Sequence, residues 1–78
     1  MLQYSKQAAK YLNSQDKSAQ QRIREGIERI PEGDIKPLRG APGTYRLRVG
    51  DWRILFSNMG DDVYIRDIGP RGEIYKGV

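Results

Sequence analysis

Thr44-Tyr45-Arg46-Leu47-Arg48-Val49-Gly50-Asp51-Trp52-Arg53-Ile54-Leu55-Phe56-Ser57 is the stretch on which the fold turns. Two runs of alternating side-chain character flank a Gly-Asp pair, the signature of a β-hairpin closed by a two-residue loop. Such a loop leaves one register, with Val49 opposite Trp52, Leu47 opposite Ile54 and Tyr45 opposite Phe56. These residues are all apolar, so that face is the core side. The other face then carries Arg48 opposite Arg53, and Arg46 opposite Leu55. Arginines directly across a ladder repel and weaken a sheet. A polyanion lying between them reverses the sign. Arginine suits that task, because its planar fork binds paired oxygens and keeps its charge at any working pH. The bland alternative is a set of ordinary solvent-face arginines whose stems lie along the sheet. Three on one face, two of them paired with no acid between, weigh against it.

Working outward, Met1 to Tyr4 alternates and reads as a short strand. Ser5 is placed to cap a helix from Lys6 to about Asn13, with Ala8, Tyr11 and Leu12 on one side. Asp16 is placed to cap a second helix from Lys17 to about Ile30, whose buried stripe is Ala19, Ile23, Ile27 and Ile30. Gly26 weakens that helix by about 1 kcal/mol relative to alanine. Pro31 cannot continue it. Residues 32–43, rich in Gly and Pro, are expected as connecting chain. Beyond the hairpin, Val63 to Ile68 reads as another strand, and Gly69-Pro70 is expected to stop regular pairing. The expected order is β-α-α-β-β-β: an α+β fold with a compact antiparallel sheet and both N-terminal helices packed on one face. The other face is expected to be wet. Tyr64 is expected as a half-buried sheet residue.

The 78 residues allow one domain, taken as 1–78, with a modest core. The chain has no cysteine and no histidine, which argues against disulfides, zinc chemistry and Ser-His or Cys-His nucleophiles. No metal or cofactor is implied. The N-terminal stretch lacks a long apolar run, so neither a signal peptide nor a membrane anchor is expected, and a cytoplasmic location fits. The net charge is +4, and the excess lies in mid-chain. From Lys36 to Phe56 there are five basic residues (Lys36, Arg39, Arg46, Arg48 and Arg53) against one acid, Asp51. Such a patch favours a polyanion through phosphate neutralisation and counterion release.

The segment Leu38-Arg39-Gly40-Ala41-Pro42-Gly43-Thr44-Tyr45-Arg46-Leu47-Arg48-Val49-Gly50-Asp51-Trp52-Arg53-Ile54-Leu55-Phe56, followed by Ile68-Gly69-Pro70-Arg71-Gly72-Glu73-Ile74-Tyr75, resembles the RelE/ParE toxin superfamily. The resemblance runs through the whole chain. It implies a compact sheet with two helices on one face and, for the RelE branch, cleavage of mRNA in the ribosomal A site. By position, Arg46 and Arg48 match that branch's basic pair, which is lysine in its best-known form. Arg53 matches the next arginine, Arg71 the one after it, and Tyr75 the tyrosine. The resemblance thus implies Arg48, Arg53, Arg71 and Tyr75 as catalytic, with Arg46 and Arg48 holding phosphates, and the mid-chain basic patch adds Lys36 and Arg39 as phosphate-binding candidates. It also implies an acidic, RelB-like antitoxin from the same operon, through which alone DNA is contacted.

The implied reaction is attack of the ribose 2′-OH on the adjacent phosphorus. It needs a base, an acid and cations for the phosphorane charge. An arginine effectively cannot be deprotonated. Tyr75 and the carboxylates Glu73, Asp51 and Asp67 therefore remain as acid–base candidates, Glu73 being preferred among the carboxylates for its place between Arg71 and Tyr75. Orientation on the ribosome can supply about 7–11 kcal/mol at best, so strongly ribosome-dependent chemistry is expected. Two other readings stay open: a ParE-like inhibitor of DNA gyrase, and a family member that binds without catalysing.

Overall fold

The structure is a computed structural model that describes residues 2–70, the side chain of Met59 excepted. Its elements are β1 (Leu2–Tyr4), α1 (Lys6–Ser14), α2 (Lys17–Glu28), β2 (Asp34–Pro37), β3 (Thr44–Val49), β4 (Trp52–Met59) and β5 (Asp62–Pro70). Both helices start where short polar side chains can satisfy the first free N–H groups. The Ala8 N–H donates to Ser5 Oγ (3.0 Å), and the Ala19 N–H to Asp16 Oδ1 (2.8 Å).

The sheet has five strands in the order β1-β5-β4-β3-β2. The β3–β4 hairpin has the expected register, Val49↔Trp52 through Tyr45↔Phe56. Gly50 takes a φ of +56° and Asp51 does not share the positive sign, the pattern of a turn with glycine in the first central position.

Three expectations need correction. Residues 32–43 are not only connecting chain, because Asp34–Pro37 forms β2, antiparallel to β3. This strand carries one apolar residue, Ile35, and ends at proline, so it has no periodicity of its own; the register of β3 makes it a strand. The sheet is mixed rather than wholly antiparallel, because β1 runs parallel to β5. With β2 on one edge, the outer side of β5 is the place left for β1, and Ser5 N–H ties the chain there through Ile65 O (2.8 Å). Finally, Gly69-Pro70 does not stop the ladder: Gly69 faces Arg53 and Pro70 faces Trp52. Pro70 sits in the terminal pair, where a missing donor is tolerated.

The helices cover one face, α1 over β5 and α2 over β3. Between them and the sheet lie Ala8, Leu12, Ile23, Ile27, Leu47, Ile54, Phe56, Ile65 and Ile68. Gly26 has a packing reason: a Cβ there would meet Val49 Cγ2 at 2.4 Å. The glycine lets α2 lie close against the end of β3, and so helps hold the hairpin in place. The Arg22 guanidinium sits over the Trp52 ring, 5.4 Å from its centroid, and closes the same corner.

Candidate functional site

The pairing pattern aligns the face away from the helices into two rows that cross four strands. One row runs Asp34, Arg48, Arg53, Gly69, and the other runs Lys36, Arg46, Leu55, Asp67. On β2, β3 and β4 parity places them there, each alternating with a residue that points under the helices, and on β5 the bulge opposite Leu55 sets which residues join the rows. Four cations from β2, β3 and β4 therefore share one side of the sheet: Lys36, Arg46, Arg48 and Arg53.

Their environments differ. Lys36 and Arg48 are exposed. Arg46 reaches back to Asp34 on β2, with Nη2 3.4 Å from Oδ1 and side-chain exposures of 16% and 48%. An ion pair this open and this long is worth at most about 1 kcal/mol and leaves Arg46 free to change partners. Arg53 is buried, at 6% exposure, and its Nη1 has no hydrogen-bond partner. Leu55 beside it is buried too, at 5%. The face expected to be wet is therefore dry at its centre. The residue across from Arg53 on β5 is Gly69, which contributes no side chain to compete for the guanidinium. A buried donor without an acceptor costs about 1–3 kcal/mol, more for a charged group. Folding alone does not select such a group.

Of the other residues singled out from the sequence, Arg39 is exposed and lies off the face, in the loop between β2 and β3. That loop is closed by Leu38 N–H on Thr44 O (2.9 Å) and Thr44 N–H on Ala41 O (3.0 Å). Asp51 is exposed at the hairpin tip. Asp67 is half-buried and belongs to the face, one row from Arg53. Arg71, Glu73 and Tyr75 lie outside the described residues. Tyr64 is half-buried as expected, with the Arg66 guanidinium 5.9 Å from its ring centroid.

The fold that carries this face is one that known proteins share. The family model described as the ParE toxin of the type II toxin–antitoxin system parDE matches residues 2–75. The chain is a toxin of the RelE/ParE family. The toxin's fold matches a chain of the RelB–RelE antitoxin–toxin complex from Methanococcus jannaschii with a TM-score of 0.77, at 28% identity over 96% of both chains. It matches a chain of the archaeal RelE–RelB complex from Pyrococcus horikoshii OT3 with a TM-score of 0.72, at 29% identity over 92% of the toxin and 94% of that chain. The YoeB dimer from Staphylococcus aureus shares the fold, with a TM-score of 0.68 at 22% identity over 85% and 90% of the two chains. A search of curated proteins finds no match.

Sequence reasoning brought the arginines of the toxin to one face but missed what surrounds them. Asp34 as partner of Arg46 depends on β2, which has no sequence signal of its own. Gly69 opposite Arg53 depends on the β4–β5 register, which shifts between Leu55 and Phe56. No short-range pattern announces such a bulge. No described helix of the toxin is long and apolar enough to cross a membrane.

Proposed function

We propose that this toxin is a ribosome-dependent endoribonuclease. In this reading mRNA lies across the uncovered face of the sheet in the ribosomal A site and is cut by attack of a ribose 2′-OH on the adjacent phosphate. The single observation that carries the reading is Arg53: buried, cationic, with Nη1 unpartnered, in line with Arg48. A phosphate oxygen supplies the acceptor that this donor lacks, and it relieves the Arg48–Arg53 repulsion at the same time. Arg48 and Arg46 then hold the scissile and neighbouring phosphates, and Lys36 extends the track. Arg71 and Tyr75 take the roles that the family resemblance implies for them, with Glu73 a further proton carrier. The whole of 1–78 acts as one toxin domain in the cytoplasm. The toxin is held inactive by an acidic, RelB-like antitoxin, in keeping with the two structural neighbours that are RelB–RelE complexes.

The test is expression of the toxin without antitoxin, with transcript ends mapped. Wild type yields new ends inside translated codons, and Arg48→Ala and Arg53→Ala remove them. A second reading is favoured by the matched family model itself, whose description is ParE. Inhibition of DNA gyrase produces DNA damage with intact transcripts, and that outcome refutes the nuclease reading.

A further inference from the structure

The cationic face supplies charge stabilisation but not a base. The chain has no histidine, and an arginine cannot accept the proton. Among the described residues the acids can be sorted by position. Asp16, Glu25, Glu28 and Glu32 lie on or beside the helices, Asp51 is at the hairpin tip, and Asp61 and Asp62 are at the β4–β5 turn. Asp34 is on the face but engaged by Arg46. One acid is left on the face, Asp67. It sits directly across from Leu55 and diagonal to Arg53, because Arg53 pairs with Gly69 and Asp67 lies two residues before it on β5.

Diagonal neighbours across an antiparallel pair stand about 7–8 Å apart. An arginine can span that gap, yet Arg53 Nη1 has no partner, and no ion pair joins it to Asp67. Gly69 and Leu55 complete the square and contribute no polar side chain to bridge the two. Asp67 and Arg53 thus hold diagonal positions on one face of the sheet with no ion pair between them, and on its other flank Asp67 lines a shallow recess with Ser5, Lys6, Gln7, Tyr64 and Arg66.

We infer, on the endoribonuclease reading above, that Asp67 is the catalytic base for the attacking ribose. Its carboxylate takes the 2′-hydroxyl proton as the 2′-oxygen bonds to phosphorus. The P–O5′ bond breaks, and its electron pair leaves with the 5′-oxygen, which takes a proton from water. The hydroxide left behind removes the proton from Asp67 and restores the carboxylate. The products are a 2′,3′-cyclic phosphate and a 5′-hydroxyl end. Arg53, diagonal to Asp67 on the same face, meets the charge that develops on the non-bridging oxygens.

The test uses the intact toxin and ribosomes programmed with a defined mRNA. Wild type, Asp67→Asn and Asp67→Glu are compared for cleavage rate at saturating toxin, for binding to the programmed ribosome, and for rate against pH. Asp67→Asn keeps the shape and removes the base. It is expected to cut 10²–10⁴-fold more slowly, the usual range for losing a positioned proton acceptor. Binding is unchanged or tighter, because a negative charge has left a phosphate-binding face. The rise in wild-type rate with pH on the acid side is expected to vanish in Asp67→Asn and to return in part in Asp67→Glu. Cleavage by Asp67→Asn within twofold of wild type, or the same pH profile in both, overturns the assignment. So does a loss confined to binding, which marks Asp67 as a positioning group. A wild-type toxin that leaves the mRNA whole overturns the nuclease reading and this inference with it, so the two failures are told apart by the wild-type lane.

Discussion

Replacing Arg53 by methionine is expected to stabilise the toxin and abolish its toxicity together. The wild-type guanidinium is 6% exposed and its Nη1 has no partner. Methionine fills a similar, flexible volume, Leu55 on the same strand offers it an apolar neighbour, and Gly69 across the ladder leaves room. Removing an unsatisfied buried donor recovers about 1–3 kcal/mol. Replacing buried charge by apolar side chains of like size has stabilised proteins by about 1–4 kcal/mol. Imperfect packing of the new side chain subtracts from this, and a net gain of about 1–2 kcal/mol is expected. For a domain of this size each kcal/mol moves the midpoint by about 4–8 °C, so Tm rises by roughly 4–16 °C. Differential scanning calorimetry of the purified toxin measures the shift, and growth after induction without antitoxin measures toxicity. A lower Tm for Arg53→Met refutes the claim that the guanidinium is a stability burden. Retained toxicity refutes its role at the site.

Other expectations follow from the same structure. Gly26→Ala gains about 1 kcal/mol in helix propensity, but the new Cβ meets Val49 Cγ2 at 2.4 Å and Cγ1 at 3.2 Å, so turning the valine only exchanges one methyl for another. Overpacking of this kind costs about 1–3 kcal/mol, so Gly26→Ala lowers Tm; in a Val49→Ala background the same change raises it, which a double-mutant cycle in urea reads directly. Burial, more than the opposing influence of Arg24, pushes the Tyr4 hydroxyl above its ordinary pKa, and Glu28 adds to the rise. The unfolded chain then ionises first as pH climbs past about 10, so stability held below that value is lost through the alkaline range. Tyr4→Phe flattens that part of a stability–pH curve, and an unchanged slope contradicts the assignment.

Much of the site was legible before any coordinates. The two-residue loop at Gly50-Asp51 allows one register, and period-two alternation then sends Arg46, Arg48 and Arg53 to the side away from Leu47, Ile54 and Phe56. The caps at Ser5 and Asp16 were legible for the same reason, since each is a short-range hydrogen bond between near neighbours in the chain. Local rules of this kind need only a few consecutive residues.

The rest required the assembled sheet. β2 is a strand only because β3 offers it a free edge, and β1 lies on the outer edge of β5, parallel to it, a pairing between residues about sixty positions apart that no local pattern specifies. Whether Arg53 is wet or dry depends on everything packed around it, and the choice of Asp67 over Asp51 depends on a bulged register between strands. The sequence by itself determined which side chains of the β3–β4 hairpin share a face, because a two-residue loop sets the register and side-chain direction along a strand is set by neighbours in the chain. Tertiary structure alone decided which of them are buried, paired or left without a partner, because those properties come from residues far apart in sequence meeting in space.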